Sequence, residues 1–253
     1  MKTKTRMETQ IVFYVDLLGT KELVKHPKSR KVKNLAILLH ELRAFEGEFE
    51  LEVLDDGFRM RPQVSTFSDH IVMSYTLDQP GRDKHEVLIS SFVSAGKLLR
   101  GLALEALNLD MLIRGGATIG LLHHQNGVVL GPALVEAYDL ESRLAIYPRV
   151  AVSHVLQSEV EGNSVGPFLL EDVDRMAHFN YFSLMLDFHS EQARIVVSDK
   201  IREKVETNIK MMEKKKLWQE SAKWSWLLST LVQLTETQNR LIAAQGNKQS
   251  TSA

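Results

Sequence analysis

The chain has 253 residues, 44% of them hydrophobic and 25% charged, with a formal net charge of −1 at pH 7, the balance of an ordinary globular protein. That charge excludes a general electrostatic footprint for nucleic acid. The absence of cysteine excludes disulfides, thiolate nucleophiles and cysteine-ligated metals, and fits a reducing compartment. The N-terminal stretch MKTKTRMETQ is basic, but Asp16 interrupts the apolar run behind it too early for a secretory core. No stretch reads as apolar enough to span a bilayer. The expectation is a cytoplasmic protein with neither membrane nor nucleic acid as partner.

Ile11–Val15 is apolar and aromatic, as a buried strand should be, and Asp16 stands where that run would continue inward. A buried carboxylate is costly unless a positive charge compensates it. Leu17–Lys21 (LLGTK) reads as a tight glycine turn into a helix start, aiming backbone N–H groups and a positive dipole end at one place. A carboxylate beside an anion site needs a cation between them, which points to a metal-bound phosphate. The alternative is that Asp16 caps the following helix.

Pro27 marks a break, and the apolar residues Val32, Leu35, Ala36, Leu39 and Leu42 predict a helix over Val32–Phe45. Phe49–Leu54 reads as a short edge strand before the turn Asp55–Asp56–Gly57. Gln63–Phe67 and Ile71–Tyr75 form a predicted hairpin around Ser68–Asp69–His70. Pro80–Gly81 closes that unit, and Glu86–Leu107 carries a long helical stripe. Met111–Gly120 is a predicted strand with internal glycines, which mark a close approach by backbone or ligand. His123–Gly127 reads as a turn, Val128–Leu130 as the returning strand, and Gly131–Pro132 as the opening of a helix. Tyr147–Ser153 is a further strand and Val152–Val160 a short helix. Phe168–Leu170 and Phe182–Phe188 read as edge strands. From Asp199 the chain turns helical and charged, with Trp224, Leu227, Leu228, Leu231, Leu234 and Leu241 on one stripe.

The interleaving of hairpins and helices predicts an α+β fold: an antiparallel-rich sheet with helices packed on one face. The expected organisation is a domain over residues 1–190, a helical appendage over 191–245, and a disordered tail over 246–253. Asp16 and Asp69, one at a strand end and the other at a hairpin tip, can lie side by side in an antiparallel sheet. Two carboxylates there repel unless they share divalent cations, and hard oxygen ligands suit Mg²⁺ or Mn²⁺. Arg114–Gly115–Gly116 and Gly131–Pro132–Ala133 read first as sheet geometry and helix packing. His123–His124 reads as a loop pair rather than as two metal ligands, since adjacent strand residues would face opposite sides and could not share an ion. Lys210–Lys216 with Trp218, Trp224 and Trp226 reads as a solvated helix followed by a packed one, with a nucleic-acid or membrane-surface contact as the alternative.

Three segments in order resemble the class III nucleotide cyclases: FYVDLLGTKELV their first metal box, TFSDHIVMSY their second metal-carrying hairpin, and IRGGATIGLLHHQNGVVLGPALVEAYDLE their glycine-rich hairpin and helix. The resemblance covers roughly residues 9–153 and implies the corresponding βααββαββαβ core. It also implies that Asp16 and Asp69 bind two divalent ions, Mn²⁺ or Mg²⁺, with the Leu17 carbonyl completing one site. The amides of Leu18, Gly19, Thr20 and Lys21 would hold the terminal phosphates, and two subunits would build shared active sites. The purine-reading positions of such cyclases fall on Ser65 and Val128, which lack the usual purine contacts. The family's helix Asn and Arg are replaced by Val135 and Asp139, so Arg143, Arg114 or Arg149 would supply the missing charge. The compact motif set is similar to that of the bacterial pyrimidine cyclases of Pycsar anti-phage systems. That implies UTP, or else CTP, as substrate, and a separate effector reached through the cyclic nucleotide. A purine cyclase and a non-catalytic cyclase-like module are the alternatives.

Overall fold

The central strand is β1 (Glu8–Leu18), longer at both ends than the apolar run suggested. Alternation sends Ile11, Phe13 and Val15 to one face and Val12, Tyr14 and Asp16 to the other, and all but Tyr14 are buried. A computed structural model describes residues 6–48, 51–52, 59–161, 168–181 and 191–250 of this chain. Contacts divide it into two units, Met1–Tyr181 and Phe182–Ala253.

In the first unit β1 is followed by the short helix α1 (Thr20–Leu23) and by α2 (Arg30–Glu48). A small pair, β2 (Leu51–Glu52) and β3 (Arg59–Met60), precedes the hairpin β4 (Gln63–Phe67) and β5 (His70–Thr76). Then come α3 (Lys84–Asn108), the long β6 (Leu112–Gln125), β7 (Val128–Leu130), α4 (Pro132–Asp139) and a wide π-helical turn, Leu140–Leu144. The series β8 (Val150–Val152), α5 (His154–Val160), β9 (Leu169–Glu171) and β10 (Ala177–Phe179) completes the unit. The main sheet runs β4-β5-β1-β6-β8-β10-β9, with β7 paired to β6. Its described pairs are antiparallel except β6 with β8. This is the α+β, antiparallel-rich architecture expected from the sequence.

Helices lie on both faces, not on one. The face of Phe13 meets α3 through an aromatic cluster in which Phe179 lies 5.9 Å from Phe13 and 4.4 Å from Phe92. The face of Val12 meets α4, packing Val12, Val72 and Leu122 against Ala133 and Ala137. The reason is visible in β1 itself, whose consecutive apolar residues need cover on both sides. Gly116 makes the second layer possible, because a Cβ there would stand 2.1 Å from the Ala137 carbonyl oxygen and 2.6 Å from Leu140 Cβ. The internal glycine of β6 therefore marks an approaching helix backbone.

α3 is long and apolar enough to cross a membrane by composition, contrary to the sequence expectation, but 61% of its apolar window is buried inside the protein. It is the core helix of this sheet. Arg149, buried at the start of β8, donates to Asp172 at 2.7 Å, to Asp174 and to the Leu144 carbonyl at 3.0 Å. Those carboxylates occupy it as a structural tie.

In the second unit, α6 (Glu191–Lys214) packs along α7 (Trp218–Ser250), and Ile201, Val205, Trp224, Leu227 and Leu231 are buried. α7 continues to Ser250, through positions where the sequence suggested a tail. The strand expected over Phe182–Phe188 and the turn at Asp55–Gly57 lie outside the described residues.

Candidate functional site

The site forms where β1, the β4–β5 hairpin and β6 meet. Asp16 lies opposite His70 on one side and Arg114 on the other. Opposed residues in a sheet share a face, so the three side chains project together. The hairpin tip is fixed by a hydrogen bond from the Leu17 amide to the Asp69 carbonyl, 3.1 Å, which brings Asp69 beside Asp16. Carboxylate oxygens of Asp16 and Asp69 and a ring nitrogen of His70 lie within 4.8 Å of one another. His70 Nε2 is 3.8 Å from Asp16 Oδ1, and its Nδ1 is 3.4 Å from Asp69 Oδ1. Two carboxylates and an imidazole suit a divalent cation with hard ligands, so the residues present fit a metal ion.

The surroundings are anionic. Arg114 Nε donates to Asp16 Oδ2 at 3.0 Å. The same Nε stands 2.7 Å from Glu141 Oε1, yet its single hydrogen is directed at Asp16, leaving Glu141 Oε1 buried without a hydrogen bond among the described residues. Burial raises the Glu141 carboxyl above its usual range, Arg114 opposes that shift, and Asp16 adds to it. Tyr14 feels the same field: burial, then Glu141 and Asp16, push its phenol up to about 12. Its ring lies 5.4 Å from His70 and 5.5 Å from Tyr138.

Behind Asp16 the chain turns at Gly19, whose φ of 107° favours glycine. Thr20 Oγ1 donates to the Leu17 carbonyl at 2.8 Å. The first bonds of α1 run from Glu22 and Leu23 to the Gly19 carbonyl, so the amides of Thr20 and Lys21 lie ahead of them.

The structure thus brings Asp16, Asp69 and Arg114 together, with Leu17 to Lys21 adjoining. Arg143 stands apart, exposed and paired with Asp139 at 3.2 Å, on a groove with Val135 and Leu144. Val128 is 57% exposed on β7. Ser65 is half-buried on β4; it opposes Val72, which opposes Tyr14, so it shares the face of Asp16.

Three residues of this face were missed in the sequence. His70 follows a turn signal and reads as a hairpin residue; its register opposite Asp16 was the available clue. Glu141 is turned inward by the π-helical turn, which a 3.6-residue period cannot reveal. His124 belongs to β6, correcting the loop reading of His123–His124. The opposite faces of the two residues do hold: His123 faces the Arg6 carbonyl, while His124 is buried between Ser65 and Ser74.

No protein-family profile matches the chain, and no curated protein is similar to it in sequence. The fold is similar to solved cyclase domains. The adenylyl cyclase CyaB from P. aeruginosa has 12% identity and a TM-score of 0.46, over 70% of this chain and 94% of that one. The monomeric guanylyl cyclase domain of the RhoGC fusion protein from the aquatic fungus Blastocladiella emersonii has 14% identity and a TM-score of 0.42, over 68% and 94%. The adenylate/guanylate cyclase/hydrolase from Silicibacter pomeroyi has 14% identity and a TM-score of 0.36, over 68% and 95%. At these TM-scores the likeness carries no argument, and the chemistry rests on the residues themselves.

Proposed function

We propose that this chain is a metal-dependent nucleotide cyclase that converts a pyrimidine triphosphate, UTP before CTP, to its 3′,5′-cyclic monophosphate and pyrophosphate. The observation that carries the reading is the cluster of Asp16, Asp69 and His70 on the motif segments that resemble class III cyclases. Asp16 and Asp69, with the Leu17 carbonyl, would hold two divalent ions, Mg²⁺ or Mn²⁺, and His70 adds a donor. Bound there, the metal supplies charge neutralisation for the triphosphate and acidifies the ribose 3′-hydroxyl. Asp16 is held in place by Arg114, which leaves its second oxygen for the cation. The amides of Leu18 to Lys21 face the terminal phosphates, and Arg114 or Arg143 offsets charge that builds on the leaving group. The 3′-oxygen bonds to the α-phosphorus as the bond to pyrophosphate breaks, so positioning carries most of the rate. Ser65 and Val128 stand at the base. Ser65 offers one hydroxyl and Val128 none, too few groups to match a purine edge.

A second copy of the chain completes the site in this reading. Val128, Leu130, Val135 and Tyr138 are exposed apolar side chains on β7 and α4, the kind of surface a partner covers. The activity belongs to the cytoplasm, where nucleoside triphosphates are found. The cyclic product would act on a separate effector, as in the anti-phage systems the motifs resemble.

One observation favours a second reading. The Arg114 guanidinium already neutralises Asp16, as it would in a non-catalytic nucleotide-binding module. Incubation with Mn²⁺ and each ribonucleoside triphosphate separately, with pyrophosphate release followed, tests the two. Release from UTP or CTP is the expected outcome, and binding without release from any triphosphate would establish the module.

A further inference from the structure

Ser74, His124 and Ser65 form a chain of hydrogen bonds from the sheet interior to its edge. His124 Nδ1 lies 2.8 Å from Ser74 Oγ, and its Nε2 lies 2.9 Å from Ser65 Oγ. Ser74 is fully buried and His124 is 1% exposed, whereas Ser65 is half-buried and reachable. Burial lowers the His124 imidazole to about 4, so near neutral pH the ring is uncharged and carries one N–H.

Which nitrogen carries it follows from Ser74. Among the described residues, the one hydrogen-bond partner of the Ser74 hydroxyl is His124 Nδ1. If Ser74 only accepted there, its own buried proton would be left without an acceptor. Ser74 therefore donates to Nδ1. The ring proton then sits on Nε2 and is donated to Ser65 Oγ. Ser65 already accepts that bond, so its own O–H is free to point outward. The relay makes Ser65 a hydrogen-bond donor toward whatever lies against β4.

We infer that the Ser74–His124–Ser65 relay is a specificity device that presents Ser65 as a donor and so selects uracil over cytosine in the substrate. This rests on the pyrimidine cyclase reading, with Ser65 at the base. Set against the 4-position, the single Ser65 proton is donated to the O4 carbonyl of uracil; the O2 carbonyl is common to both bases and gives no selection. Cytosine replaces one carbonyl with an amino group, which sets donor against donor. His124 and Ser74 are positioning residues: neither touches substrate, and both act through the direction of one hydroxyl.

Ring-¹⁵N NMR of the histidine-labelled full chain reads the tautomer without substrate. The expected result is His124 protonated at Nε2; protonation at Nδ1 overturns the inference. In turnover with Mn²⁺, wild type should favour UTP over CTP in kcat/KM. Ser74→Ala, which removes the tautomer lock, should lower that ratio by about tenfold, one hydrogen bond's worth. Ser65→Ala, at a half-buried edge position, should lower it likewise. An unchanged ratio in both folded variants, or a wild type that favours CTP, overturns this inference while leaving the cyclase reading intact. No cyclic product from either pyrimidine overturns that reading and this selectivity together, whatever the tautomer.

Discussion

Asp16 is buried on the central strand, and its neighbours explain how a carboxylate survives there. Arg114 donates to one oxygen and His70 approaches the other. The Leu17 amide grips the hairpin tip and holds Asp69 beside Asp16. If this cluster holds the metal, Asp16→Asn and Asp69→Asn should each abolish cyclic product. They should also abolish the rise in melting temperature that Mn²⁺ gives wild type, worth about 2.7 kcal/mol at a hundredfold excess over Kd. Without metal, Asp69→Asn should melt at or above the wild-type temperature, since it relieves a like-charge contact. A variant that keeps both turnover and the Mn²⁺ shift would remove these residues from the site. Glu141 has the opposite history, a buried carboxylate whose Oε1 has no hydrogen bond among the described residues and which nothing in the sequence announces.

The helix α4 and its π-helical turn deliver Glu141 and Tyr138 to the site, and their seat is Gly116. Gly116→Ala should push Ala137 and Leu140 away from the sheet, costing about 3 kcal/mol of stability, read from the urea midpoint. Turnover should fall as well, because the displaced turn carries Glu141, the neighbour of the Arg114 that holds Asp16. A variant of wild-type midpoint would show that α4 can shift without cost. The strands, the hairpin and α3 were legible because each carries its own period and turn residues. Asp16 and Asp69 were legible because polar residues interrupted those periods. The second helical layer was not, since the paired glycines of β6 are equally consistent with sheet geometry alone. β10 was not, since its three residues AHF are too short to show an alternation. His124 was not, because two adjacent histidines before Gln-Asn-Gly resemble the start of a turn, whereas β6 runs on to Gln125.

At the scale of the molecule, two buried histidines set the response to acid. His124 is lowered to about 4 by burial, and His178 is lowered to about 4 by burial and then by Arg149. Their folded values lie below the unfolded value of 6.5, so the unfolded chain binds more protons between those limits. The stability they contribute is complete above pH 6.5 and is lost as pH falls toward 4, by about 3 kcal/mol for each. Urea midpoints measured from pH 7 to 4 should show that decline, and His124→Gln should flatten it by up to about 1.4 kcal/mol per pH unit. An unaltered slope would mean that His124 takes up its proton at the same pH in the folded and the unfolded chain. Sedimentation should find the active species to be a dimer, and a fully active monomer would remove the shared site. The most direct test of the whole is one tube containing the protein, Mn²⁺ and the four ribonucleoside triphosphates at equal concentration, with products resolved by mass spectrometry. Cyclic UMP should dominate, cyclic CMP should follow, and both should vanish with Asp16→Asn; dominant cyclic AMP or cyclic GMP, or no cyclic product at all, would contradict a pyrimidine cyclase.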